Sequence, residues 1–133
     1  MAGLCDTNIL GELSRPTPNP GVLAWGRSIT RVTLSAVTVE EIQYGLAWKP
    51  NSRISEWFER FSEDFCDVVP VTQEIAAHAG RLRGAFQAKG ISRTQADMMI
   101  AATAALHGLT LVTRNTQDFE GCNLRLMNPF APR

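Results

Sequence analysis

Gly3-Leu4-Cys5-Asp6-Thr7-Asn8 opens the chain with a short apolar run that ends on an acid and passes into a helix-like segment. The apolar residues predict a buried strand over 2–5, and Thr7 to Ser14 predicts a helix. In open α/β sheets the carboxyl ends of the strands border the ligand crevice, so Asp6 stands where such folds place their chemistry. Its structural alternative is to cap the following helix, a position that Asp favours. Thr7 and Asn8 can cap as well, which leaves Asp6 free for other work.

The strand–helix rhythm continues along the chain. Arg15-Pro16-Thr17-Pro18-Asn19-Pro20 stops the first helix, because repeated proline removes donors and fixes φ. Gly21 to Ser28 predicts a second helix with Val22, Leu23 and Trp25 as its apolar face, and Arg31 to Ser35 a β-branched strand. Thr38 to Trp48 predicts a helix ended near Lys49-Pro50, and Ile54, Trp57, Phe58 and Phe61 recur at helical spacing. A strand is expected over Asp67–Val71. A longer helix follows from Thr72, with Ile75, Ala76, Ala79, Leu82 and Phe86 as its stripe and Gly90 as its end. Thr94 to His107 is an Ala-rich helix closed by Gly108, and strands are expected at Leu109–Thr113 and Leu124–Met127. Pro129 to Arg133 reads as a surface tail. Alternating strands and helices predict an α/β fold with a mostly parallel sheet.

At 133 residues the chain is sized for a single domain over 1–133. Its 44% hydrophobic and 20% charged residues are ordinary for a soluble globular protein. Formal net charge is zero, so no basic excess marks a nucleic-acid partner. That argument weakens if acids are engaged: with four of the 13 bound to a cation, nine remain against 13 basic residues, a balance of +4. No run approaches the roughly 20 apolar residues of a membrane span. The N-terminus lacks the charged start and long apolar stretch of a signal peptide, so a cytoplasmic location is expected. Cys5, Cys66 and Cys122 are odd in number and lack metal-finger spacing, and they are expected to be reduced.

Three further acids fall at element ends. Glu41 closes Thr38-Val39-Glu40-Glu41, a match to the capping box in which the third-position Glu reaches back to the cap amide. Glu40 beside it is expected to face solvent. Asp97 begins the Ala-rich helix, where the helix dipole alone favours an acid. That helix reads as buried, and an acid at the head of a buried helix tends to face a crevice. Asp118 follows the 109–113 strand, with a turn or cap role as its alternative. The argument is joint: loops after parallel strands converge on one edge, and Glu41 and Asp97 start helices able to cover it. Hard cations take carboxylate oxygens and water and keep positions open for substrate phosphates. Carboxylates gathered without Lys or Arg repel one another unless a cation is bound.

Taken together, four segments resemble the PIN-domain family, in particular its VapC/FitB-type toxins. They are Leu4-Cys5-Asp6-Thr7-Asn8, Leu34 to Ile42 with Gly45, Ala96-Asp97 with Ile100 to Ala104, and Val112 to Phe119. The closing Asn128-Pro129-Phe130 fits as well, and the resemblance spans nearly the whole chain. It implies a PIN-like three-layer sandwich, a central mostly parallel sheet flanked by helices. It further implies an Mg2+- or Mn2+-dependent endoribonuclease, the toxin of a toxin–antitoxin pair, which hydrolyses RNA phosphodiesters with metal-activated water.

On that pattern Asp6, Glu41 and Asp97 form the acidic core, with Asp6 and Asp97 as direct metal ligands and Asp118 as a fourth acid. Asn115 stands where some members carry Asp, so the fourth position is open between the two. Thr7, Asn8 and Thr113 would support the site by hydrogen bonds, and Arg15, Arg93 and Arg114 are candidate RNA contacts. The resemblance also implies a homodimer and a small antitoxin laid across the site, with Trp25, Trp48, Trp57 and Phe58 as candidate contacts. Two departures stand out: Cys5 replaces a common aliphatic, and Met98-Met99 is bulkier than the usual pair.

Two rival readings fit the sequence less well. Receiver-like phosphotransfer domains need an acidic pair after the first strand and a Lys on a late strand. Here Asp6 is followed by Thr7-Asn8, and Thr113-Arg114 replaces the Lys. A catalytically silent PIN-like binding module regulated by a protein partner should have lost acids, yet all four positions are filled.

Overall fold

The computed structural model describes residues 3–132; residues 1, 2 and 133 lie outside the description, including the first residue of the expected opening strand and the last of the expected tail. Strands β1 (Gly3–Cys5), β2 (Val32–Ser35), β3 (Cys66–Val69), β4 (Thr110–Val112) and β5 (Leu126–Met127) form a sheet of order β3-β2-β1-β4-β5. Every pairing in it is parallel. Helices α1 (Thr7–Leu13) and α2 (Pro20–Arg27) connect β1 to β2, α3 (Ala36–Trp48) and α4 (Ser52–Phe65) connect β2 to β3, and α5 (Gln73–Ala88) and α6 (Gln95–His107) connect β3 to β4. A 3-10 turn, Thr116–Phe119, precedes β5. Strand order therefore departs in both directions from β1, and the switch point lies at its carboxyl end, where Asp6 sits.

The short strands are apolar because both faces of the sheet are covered. Side chains alternate across it. Leu4 and Leu111 face the layer of α5 and α6, in a core with Ile75, Met98 and Phe119. Cys5, Leu34 and Val112 face the layer of α1, α2 and α4, in a core with Ile9, Val22 and Phe58. Three layers result. In α6, Ala101, Ala102 and Ala104 are fully buried, and their small side chains let the helix lie close to its neighbours. Helix α3 bridges the layers at the carboxyl edge, with Val37 packed on one core and Ile42 on the other. Cys5 is buried, and desolvation raises its thiol pKa well above the ordinary value, as expected of a small core hydrophobe.

Several element boundaries differ from the sequence reading. β3 ends at Val69, because Pro70 has no N–H to extend the ladder, and it starts one residue early at Cys66. α3 starts at Ala36, two residues before the expected Thr38, because Ser35 rather than Thr38 is its cap and accepts from the Val37 N–H at 3.0 Å. Residues 124 and 125 are outside β5. The 129–131 stretch is not a loose tail. Asn19, 2% exposed, donates to the Ala131 carbonyl at 3.0 Å and accepts from the Ala131 N–H at 2.9 Å, while also accepting from Gly21 N–H at the head of α2. A Cβ on Gly21 would stand 2.2 Å from the Pro129 carbonyl oxygen, so only glycine lets the C-terminal segment approach α2 this closely.

Asn19→Ala removes the α2 cap and both bonds to Ala131. The expected loss is about 2 kcal/mol of unfolding free energy in a urea titration, with an unchanged far-UV spectrum of the folded state.

Candidate active site

β1 hands directly into α1 through Asp6, which is 6% exposed. Its N–H continues the β1–β4 pairing by donating to the Val112 carbonyl at 2.9 Å. Asp6 Oδ1 accepts from Thr7 N–H at 2.8 Å and so caps α1. Oδ2 accepts from the Thr113 hydroxyl at 2.8 Å and the Asn8 amide at 3.1 Å. The expectation that Thr7 or Asn8 would relieve Asp6 of capping is corrected: Asp6 caps the helix itself, and its neighbours serve the site. The Thr7 hydroxyl donates to Glu41 Oε1 at 2.6 Å. Asn8 Oδ1 accepts from Arg114 N–H at 3.1 Å, and the Asn115 N–H donates to Thr113 Oγ1 at 3.1 Å. Capping leaves one Oδ1 lone pair of Asp6 available to a further partner.

The capping-box reading of Glu41 is also corrected. With Ser35 as cap, Glu41 sits in the second turn of α3, free of any cap duty, and is turned toward α1 and Thr7. Glu40 is exposed as expected. Asp97 stands in the first turn of α6, where the Thr94 hydroxyl accepts from its N–H at 3.0 Å. Burial pushes the Asp97 carboxyl above its ordinary value; a hydrogen bond with Thr94 opposes this, and the charges of Asp6, Asp118 and Glu41 add to the rise. All four acids therefore share one electrostatic field. Asp118 lies in the 3-10 turn, with its N–H on the Asn115 carbonyl at 3.0 Å, while the Asn115 side chain caps nothing.

Sharing a field is not the same as closing on an ion. Among the described residues no group of three His, Cys, Asp or Glu side chains is close enough to enclose a cation. The hydrogen bonds explain the spread: Asp6 is held by three donors, and Glu41 is drawn to Thr7. Like charges with no counter-ion also turn away from one another. The fit to a hard divalent cation is thus one of donor chemistry and charge. The donors are oxygens, and among the described residues the ion pairs are Arg15–Glu12 and Arg31–Asp67, neither of which involves the four acids. Thr38 on α3, one turn before Glu41, is fully buried, and its hydroxyl has no partner among the described residues. Such a group costs about 1–3 kcal/mol unless something outside the chain, such as an ordered water, binds it. Sequence reasoning took Thr38 for a cap and missed this. Ser35, at the end of a β-branched run, was the available signal.

The expected RNA contacts fall apart into different settings. Arg15 lies beyond the far end of α1, exposed and paired with Glu12 at 3.3 Å. Arg93 directs its guanidinium to the Asp118 and Glu120 carbonyls. Arg114 is exposed, stacked 4.6 Å over the Phe130 ring, and its backbone joins the Asp6 network through Asn8. Of the candidate contact aromatics, Phe58 is buried in the core and Trp25 and Trp57 pack against it, whereas Trp48 is 68% exposed and adjoins Tyr44.

Acids gathered at the carboxyl edge of a five-stranded parallel sheet, beside its switch point and flanked by helices, define the class of α/β domain. Residues 4–121 match the family model of the PIN domain. The chain belongs to the PIN-domain family. It is 33% identical over 135 aligned positions to VapC ribonuclease Y4jK of Sinorhizobium fredii, covering 96% of each protein. It is 34% identical to Toxin FitB of Neisseria gonorrhoeae, covering 96% of this chain and 97% of the relative. Among solved structures, a toxin–antitoxin complex from Klebsiella pneumoniae contains a chain 26% identical with a TM-score of 0.77, covering 98% of this chain and 100% of that one.

The raised Asp97 pKa has a sign. Between the ordinary value of 3.8 and its raised folded value, the folded state holds a proton the unfolded state has lost, so the Asp97 contribution to stability falls as pH rises through that window. Asp97→Asn is therefore expected to raise the melting temperature of EDTA-treated protein at neutral pH. The gain should vanish at a pH below the ordinary carboxyl value, as followed by circular dichroism.

Proposed function

We propose that this chain is an Mg2+- or Mn2+-dependent endoribonuclease acting as the toxin of a toxin–antitoxin pair. What supports this most directly is that the charges of Asp6, Glu41 and Asp118 all bear on the half-buried Asp97 carboxyl, and that among the described residues the ion pairs with Lys or Arg leave these four acids out. Relatives named as a ribonuclease and a toxin, aligned along nearly the full chain, support the same reading.

Asp6 and Asp97 are the residues that would hold the ion directly, with Glu41 and Asp118 as further carboxylates and Asn115 as the alternative at the fourth position. A bound divalent cation supplies a lowered water pKa and neutralises charge on the phosphate. The chain's own part is positional. Thr7 holds one Glu41 oxygen, leaving the other to orient water. Thr113 and Asn8 fix the plane of the Asp6 carboxylate. Half-burial of Asp97 lowers the local dielectric and strengthens every charge interaction there. Arg114, exposed beside this network, is the residue placed to meet an RNA phosphate.

A small antitoxin is the proposed partner. It would seat in the apolar groove that starts at Thr7 and Glu41 and runs between α1, α3 and α4 past Leu10, Ile42 and Leu46. Tyr44 and Trp48, 63% and 68% exposed on α3, are the available anchors. A homodimer and a cytoplasmic location complete the proposal. No helix among the described residues is long and apolar enough to cross a membrane.

Purified protein with Mn2+ and a mixed RNA pool should show cleavage that EDTA stops. Asp6→Asn and Asp97→Asn should each lower it by at least about a hundredfold with the fold retained. Cleavage at the wild-type rate in either variant, or none in the wild type, overturns the assignment; the latter points to the silent binding module. Arg114→Ala is expected to weaken RNA binding and to reduce the salt slope by about one; an unchanged slope removes Arg114 from the contact surface.

A further inference from the structure

Arg93 stands in the loop just before Thr94, the cap of α6, and four residues before the first-turn acid Asp97. Its guanidinium is turned into the protein. Nη1 donates to the Asp118 carbonyl and Nη2 to the Glu120 carbonyl at 3.0 Å. The group also lies 4.2 Å from the centroid of the Phe86 ring on α5. The main chain at Phe86 is tied to the loop that follows, and the ring faces the bend after the 3-10 turn. The Ile91 N–H donates to the Phe86 carbonyl at 2.9 Å. Gly121 sits against the ring: a Cβ there would stand 3.3 Å from its Cε1 and Cζ, and its φ of +81° favours glycine. Four segments thus meet at one guanidinium: the end of α5, the loop before α6, the 3-10 turn and the bend after it.

Resting on the nuclease reading above, we propose that Arg93 is a positioning residue, which clamps the turn carrying Asp118 to the head of the helix carrying Asp97 and does not contact RNA. Asp97 and Asp118 are 21 positions apart and sit on different elements. Through these two bonds Arg93 joins the segment that opens α6 to the main chain of the 3-10 turn and the residue after it. The geometry needs arginine. A planar fork reaches two carbonyls while its face stacks on an aromatic ring, whereas a lysine ammonium is a single point without the plane. An RNA contact would make the opposite demand, since charge alone attracts phosphate. The half-buried setting of Arg93 fits the clamp and not an open basic surface.

The test compares Arg93→Lys, Arg93→Met and Gly121→Ala, in full-length protein, with an RNA oligonucleotide and Mn2+. The clamp predicts that kcat falls roughly tenfold to a hundredfold in all three, with KM unchanged. The salt slope of RNA binding in EDTA should also be unchanged, and amide exchange in 116–122 should quicken by roughly tenfold. In an Asp118→Asn background, Arg93→Met should cost less than about twofold, because the two residues act as one unit. Gly121→Ala keeps the cation and disturbs only its seat, so it separates position from charge. A phosphate contact predicts instead that Arg93→Lys behaves like wild type and that Arg93→Met raises KM and lowers the slope by about one; that result overturns the proposal. Unchanged exchange in 116–122 overturns it as well. Quickened exchange in a protein that never shows EDTA-sensitive cleavage supports the clamp and overturns the nuclease reading.

Discussion

The site rests on one carboxylate answering to two secondary structures at once. Asp6 Oδ1 satisfies the first amide of α1, and Oδ2 takes the hydroxyl at the end of β4. The same residue therefore sets where the helix leaves the sheet and how the two central strand ends stand relative to each other. Truncating Asp6 to alanine would cost stability as well, because the α1 cap and the β1–β4 tie would go with it, whereas asparagine keeps an oxygen for the cap. The polar network around it extends the tie: Asn8 joins Asp6 to Arg114, and Thr113 joins it to Asn115. Function and fold are inseparable at this point, whereas at Glu41 and Asp97 the fold's needs are met by other groups, Ser35 and Thr94.

The acids are arranged against stability. The Asp97 carboxyl is held above its ordinary value first by burial and then by three neighbours of like charge. Such local conflict, where burial and repulsion both favour the neutral form, is a recurring mark of sites built to receive a cation or to move protons. The rest of the domain absorbs the cost through ordinary means: apolar strands buried on both faces, a close-packed Ala-rich helix, and a C-terminal segment pinned by Asn19.

Much of this was legible in the residues. Period and punctuation gave every strand and helix type, since Pro and Gly bound them and the apolar stripes are regular. The parallel sheet followed from the alternation. Which acids belong together was suggested only by the family resemblance, because spacing alone leaves each acid with a capping alternative. The sequence reading failed where two residues compete for one local task. Ser35 and Thr38 both suit a cap, and tertiary packing of the strand end decided for Ser35. Asp6, Thr7 and Asn8 all suit a cap, and the strand's exit direction decided for Asp6. The arginines were hardest to place. A guanidinium near a cluster of acids in sequence suits phosphate and main chain alike, and only the Asp118 and Glu120 carbonyls assign Arg93.

The strand order carries a consequence for synthesis. β1 is made first and lies at the centre of the sheet, yet its partner β4 begins at Thr110, and the bond from Arg114 to Asn8 spans 106 positions. Until that late segment has left the ribosome, Asp6 has neither the Thr113 hydroxyl nor the β4 edge to hold it. The central strand waits, unpaired on one side, for most of translation. A nascent chain of this topology therefore carries its acids apart, and they are brought together only by a late, long-range pairing. The order of strands thus acts as a timing device: the four acids come into one field only once nearly the whole polypeptide has been made.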